Sequence, residues 1–311
     1  MGAVHEEISI PELTDVIARL SALLGPRQGG VRPLEGGITN RNFRVTFGGV
    51  DYVVRLPGKD THLLGIDREA ERLATREAAE LGLGPRVAAM FDDPPCLVTR
   101  FVEGRDLTAE ELREPHAFAQ VARGLRAFHD ADLVLPTDFH VLDVVSAYAK
   151  LARVRGGELP AGFDDAHDCA GRVVKAVRGH PEHQPVPCHN DLLTANFLHH
   201  GERVVIVDWE YAGMGDRFFD LGNLAVNNEL DDADEERLLE AYFGEPAIRR
   251  RRAALKLFRF MSDFREAMWG VVQSSVSELD FDFPAYAAKH FERLGATSGD
   301  PRFKRWLGEA R

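Results

Sequence analysis

The stretch "CHNDLLTANFL" at residues 188–198, followed by "VVIVDWEY" at 204–211, decides how this chain is read. The first segment sets His189, Asp191 and Asn196 among apolar residues at the spacing H-x-D-x-x-x-x-N. An Asp held in a loop can take the proton of an attacking hydroxyl. An Asn five residues later can turn its carbonyl oxygen toward a Mg²⁺ ion, and the two roles recur together where phosphoryl groups are transferred. Alone, the spacing also suits a plain turn between helix and strand, because His, Asn and Asp are turn formers. The second segment changes the weight. It reads as a buried strand ending in Asp208, 12 residues after Asn196, so both can reach one ion. Hard cations take carboxylate and amide oxygens, with phosphate oxygens completing the shell.

Upstream, "LEGGITNRNFRV" (34–45) places Gly36 and Gly37 between strand-like runs, with Thr39 and Asn40 near the tip. Glycines let backbone N–H groups approach phosphates closely, although a bare Gly-Gly turn also serves ordinary hairpins. Arg55 in "YVVRLPG" sits on the next strand, where a cation can meet phosphates and be held by a carboxylate of the following helix. Glu69 and Glu71 both flank the apolar face of that helix, so periodicity leaves the choice between them open.

The surrounding pattern is a β-rich part followed by a helical one. Apolar spacing predicts a helix over 10–25, strands within 31–56, a helix over 66–83, and strands at "RVAAMF" and "CLVTRFV". Beyond Leu107 the expected elements are helices: 118–131, 143–155, 233–243, 247–273 and 284–294, with a surface loop over 156–168. The expected fold is α+β, with an N-lobe of residues 1–102, a helical C-lobe of 103–311 and a small-molecule cleft between them.

Composition narrows the partners. Fifty acidic against 38 basic residues give a formal charge of −12, which argues against a nucleic-acid binder and suits a cationic substrate. Three widely separated cysteines, with no C-x-x-C pair, fit a reducing compartment. No apolar run approaches the roughly 18 residues of a membrane span. The start "MGAVHEEISI" lacks the basic and apolar regions of a secretory signal. The expectation is a cytoplasmic protein without a membrane partner.

These motifs, in order with "IDREAE", "CLVTRFVEG", "LRAFH", "VDWEYAGMGDRFFDLGN" and "MWGVVQ", resemble the choline/ethanolamine kinase branch of the aminoglycoside-phosphotransferase-like enzymes, over nearly the whole chain. "VDWEYAGMGDRFFDLGNLAVNN" looks like the bacterial choline-kinase type. The resemblance implies a protein-kinase-like two-lobed fold and an enzyme using ATP and Mg²⁺ to phosphorylate a small cationic alcohol, choline or ethanolamine. It implies Asp191 as catalytic base and Asn196 and Asp208 as metal ligands. Arg55 would meet ATP phosphates, Glu71 would hold it, and the backbone from Arg100 to Val102 would meet adenine. Asp220 would brace the catalytic loop, with His189 a structural member of it. Glu210, Tyr211, Trp269 and Glu266 would line the acceptor site, since a quaternary ammonium wants aromatic faces and a carboxylate. Eukaryotic choline kinases carry a second Trp where this chain has Glu266, and a Glu where it has Asn227; Glu266 would then offer charge to a primary amine. Two other readings stand beside this one: a kinase of another hydroxylated amine or sugar such as an aminoglycoside, and a nucleotide-binding pseudoenzyme.

Overall fold

Alternating apolar residues along Phe43, Val45 and Phe47, and along Tyr52, Val54 and Leu56, give two neighbouring strands a common buried face. In a computed structural model, which describes residues 10–34, 39–277 and 279–311, these strands lie at the centre of a five-stranded antiparallel sheet. Helix α1 (Pro11–Leu24) precedes β1 (Arg27–Leu34), β2 (Asn40–Phe47) and β3 (Val50–Pro57). Gly48 and Gly49, at φ 56° and 79°, make the tight turn from β2 to β3. Positive φ at two successive positions suits the right-handed twist of a hairpin. Helix α2 (Arg68–Glu80) then leads to β4 (Val87–Asp92) and β5 (Pro95–Arg100), and the strand order is β1-β2-β3-β5-β4. Leu13, Val16 and Leu20 of α1 pack on the buried sheet face, forming a small core with Phe43, Phe47 and Val98.

The rest is mainly helical, with short strands set around the motifs. β6 (Arg105–Asp106), α3 (Ala109–Leu112), α4 (Pro115–His129), α5 (Val141–Val154) and α6 (Phe163–Val177) come first. The strands β7 (Val186–Cys188), β8 (Phe197–His200), β9 (Arg203–Ile206) and β10 (Gly213–Gly215) carry the motif loops. Helices α7 (Arg217–Asn227), α8 (Asp232–Phe243), α9 (Arg249–Val276), α10 (Phe283–Ser298) and α11 (Phe303–Glu309) close the chain. α9 is the central helix. It is buried almost all round from Ala253 to Gln273, so the charges it carries inside, Asp263, Arg265 and Glu266, need partners. Gly222 of α7 lets it cross α9 closely, because a Cβ there would lie 2.6 Å from the Phe258 backbone.

The loop expected over 156–168 ends at Gly162, and α6 starts at Phe163. Phe163, Ala166, Ala170, Val173 and Val177 form its buried stripe. Asp164 and Asp165, which look like loop residues, sit in its first turn, where the helix dipole favours negative charge. α2 serves both parts of the molecule. It follows the sheet's β3, while its Ala74 and Ala78 pack into the larger helical core. No helix among the described residues is long and apolar enough to cross a membrane.

Candidate active site

The loop from β7 to β8 is held by one buried carboxylate. Asp220, on α7, accepts from the backbone N–H of His189 at 2.8 Å and of Asn190 at 2.7 Å. It also meets His129 Nε2 at 2.9 Å, and His129 Nδ1 meets the Tyr242 hydroxyl at 2.6 Å. Burial alone would raise the Asp220 pKa, but His129 and these donors hold it below the ordinary carboxylate value. His189 is fully buried. Its Nδ1 accepts from the Asp191 N–H at 3.2 Å, so its Nε2 carries the proton and donates to the Val207 carbonyl at 3.0 Å. Both ring nitrogens are therefore spent on the backbone of the two motif loops. Asn190 reaches the left-handed region, φ 66°, and donates its side-chain amide to the Tyr211 carbonyl at 3.0 Å.

Asp191, Asn196 and Asp208 converge. Asn196 Nδ2 donates to the Asp191 carbonyl at 2.8 Å, which turns its Oδ1 away from that loop. Its own carbonyl accepts from Val207 N–H at 3.0 Å and so draws Asp208 alongside. Asp208 adopts φ 66°, a conformation Asp tolerates better than most residues. Burial, with Glu266 and Asp208 nearby, pushes the Asp191 carboxyl up to about 7, against the pull of Arg265. A buried carboxyl poised near neutrality suits proton transfer.

The N-lobe supplies a cation and a clamp. Arg55 Nη1 is bonded to Asp208 across the cleft and lies 3.2 Å from Glu71 Oε1. Glu71, buried, also takes Arg68 Nη1 at 2.7 Å, whereas Glu69 is exposed and pairs with Arg72 instead. Arg55, Asn196 and Asp208 line one cleft of about 340 Å³ with Arg100, Phe101 and Val102 at its far wall. The N–H groups of Arg100 and Phe101 are already given to the carbonyls of Arg86 and Asp51, which, among the described residues, leaves Val102 as the residue of that segment with an amide to offer. Gly36 and Gly37 lie outside the described residues. Thr39 and Asn40, beside them, reach across to Glu210: the Thr39 hydroxyl bonds one carboxylate oxygen and Asn40 Nδ2 donates to the other at 2.8 Å. Arg68 Nη1 is 3.6 Å from it. Glu210 thus ties the two lobes together and does not offer a free charge to an acceptor. Burial, with Asp208 beside it, pushes its carboxyl up to about 8.

Behind Asp191 lies an aromatic and acidic cluster. Trp269 Nε1 donates to the Tyr211 hydroxyl at 2.9 Å, and the Trp269 and Tyr286 rings meet edge-on at 5.6 Å. Glu266 is buried and takes three partners: Arg265 Nη1 at 2.8 Å, Asn223 Nδ2 at 3.0 Å and the Tyr286 hydroxyl at 2.7 Å. Its carboxyl is therefore ionised and fully engaged, not a spare charge for an amine; burial would raise its pKa, but Arg265, His290 and the Tyr286 hydroxyl together hold it below the ordinary carboxylate value. Arg265 and Tyr286 escaped the sequence reading. A charged Arg-Glu pair inside the apolar run of a buried helix was the signal for the first, since a charge there needs partners.

Residues 30–255 match the family model described as the phosphotransferase enzyme family. A solved structure from Mesorhizobium loti, described as a choline/ethanolamine kinase family protein, is 34% identical, with a TM-score of 0.81 over 96% of this chain and 99% of that one. Protein LicA of Haemophilus influenzae is 26% identical, the match covering 83% of this chain and 76% of that protein. Ethanolamine kinase 2 of Rattus norvegicus is 28% identical over 94% of this chain and 82% of its own.

Proposed function

The chain belongs to the phosphotransferase enzyme family, within its choline/ethanolamine kinase branch, and we propose that it transfers the γ-phosphoryl group of ATP to the hydroxyl of a small amino alcohol, ethanolamine or choline. The observation that carries this reading is the convergence of Arg55, Asn196 and Asp208 on one cleft, with Asp191 held beside Asn196. The names of the relatives supply the acceptor class.

Asp191 accepts the hydroxyl proton as the oxygen attacks. Asp220 and His189 keep its loop in place. Arg55 leaves Asp208 for the phosphates, and Val102 offers its amide to the adenine edge. Asn196 and Asp208 fit Mg²⁺: both are hard oxygen donors, and the Asn196 amide is held with its oxygen turned away from Asp191. The ion supplies charge neutralisation on the phosphates. Most of the rate then comes from positioning and fixed electrostatics, as phosphoryl transfer requires.

The test is transfer of label from γ-labelled ATP, with Mg²⁺, to ethanolamine and to choline, with the phosphomonoester identified by mass. Labelled product from either supports the reading. ATP binding without transfer to any amino alcohol overturns it.

A further inference from the structure

The Tyr211 face already carries a cation. The guanidinium carbon of Arg265 lies 4.4 Å from the Tyr211 ring centroid and 5.9 Å from that of Phe139. Arg265 is 1% exposed. Its Nη1 lies 2.8 Å from Glu266 Oε1 and 3.3 Å from Asp191 Oδ1. Aromatic faces and a carboxylate are what a quaternary ammonium needs, and Arg265 engages both. Two of its nitrogens, Nε and Nη2, are buried without a hydrogen-bond partner among the described residues. A native structure rarely leaves buried donors unused, so they face something that accepts hydrogen bonds.

We propose that Arg265 is a specificity-determining residue that fills the cation seat of the acceptor site with the chain's own guanidinium, selecting small amino alcohols that leave it in place over quaternary ammonium alcohols that must displace it. The inference rests on the kinase reading and narrows its acceptor. Both ammonium groups carry a full charge, but a trimethylammonium is larger and has no N–H donor, so aromatic faces are what seat it. To reach the Tyr211 face it must break the buried contacts of Arg265 with Glu266 and Asp191, and breaking buried charge pairs is costly. A primary amino alcohol is smaller. Its hydroxyl oxygen accepts from Nε or Nη2, which also holds that oxygen beside Asp191. Its ammonium carries N–H donors of its own and does not need the Tyr211 face.

The experiment compares kcat/KM for choline and ethanolamine in the wild type, Arg265→Gln and Arg265→Lys, with circular dichroism and ATP affinity as controls on folding. The wild type favours ethanolamine. Arg265→Gln raises the choline-to-ethanolamine ratio about tenfold, the scale of one cation–π contact released. Arg265→Lys, which keeps a charge in the seat, stays near the wild type. Arg265→Met, uncharged and of similar length, answers in place of the glutamine variant if that one does not fold. An unchanged ratio in the uncharged variants overturns the proposal, as does a wild type that prefers choline. If the wild type phosphorylates neither alcohol, the kinase reading fails by itself, and calorimetric binding of choline decides the role of Arg265. Tighter choline binding by the uncharged variant supports it; equal binding overturns it.

Discussion

The guanidinium of Arg55, on β3, bonds the carboxylate of Asp208 across the cleft between the lobes. The same nitrogen reaches Glu71 on α2, so one cation gathers two carboxylates from two lobes. On the proposed reading, nucleotide binding would redistribute this arrangement: the guanidinium would turn to phosphate oxygens, leaving Asp208 free to hold Mg²⁺. Arg55→Ala is expected to raise the KM for ATP by about ten- to a hundredfold, the loss of a strong charge-assisted contact. Arg55→Lys recovers only part, because a point charge does not reproduce the planar fork. ATP titrations at saturating acceptor check both.

Asp220 is the anchor of the loop between β7 and β8. It serves two backbone amides of the catalytic loop and His129, all in a fully buried setting. Asp220→Ala leaves two amide donors and an imidazole without their partner. It is expected to destabilise the protein by about 3–5 kcal/mol, the range for breaking a buried charged network. Asp220→Asn keeps the shape and one acceptor oxygen and loses less. Urea denaturation gives the order, and turnover is expected to fall with it because the loop carrying Asp191 loses its anchor.

The raised Asp191 pKa has a sign in stability. In the unfolded chain its carboxyl ionises near 3.8, and in the folded ligand-free protein near 7. Between those values the folded state binds the extra proton, so this residue's contribution to stability falls as pH rises. The melting temperature of Asp191→Asn, relative to the wild type, is therefore expected to climb from pH 4 to pH 8. A difference that stays flat across that window removes the raised pKa from the account.

Much of this site was legible because its parts are local. Asp191 and Asn196 share one loop, and Asp208 follows Asn196 by 12 residues, two residues beyond the end of β9 rather than at the strand's end as its apolar run suggested. Arg55 stood out as a cation on the strand after the glycine pair, with carboxylates on the following helix. What escaped were meetings between distant parts of the chain. Glu210 looked like an acceptor ligand because it stands next to Tyr211, yet its partners Thr39 and Asn40 lie about 170 residues earlier and belong to the other lobe. Glu266 looked like a free charge because a linear pattern cannot show that Arg265, Asn223 and Tyr286 all converge on it. The helix α6 was hidden for a different reason. Its first turn is built of Gly, Phe and Asp residues whose local preference is for a turn, and the packing of Phe163 and Ala166 decides for helix.

The central claim is that Asp191 takes the proton of the acceptor hydroxyl, and the most direct measurement is turnover and ATP affinity of Asp191→Asn side by side. The account predicts a kcat lower by at least about a hundredfold, the usual scale of a lost general base, with ATP affinity within about threefold of the wild type. Turnover close to the wild type, or ATP affinity lost in step with it, would contradict the account.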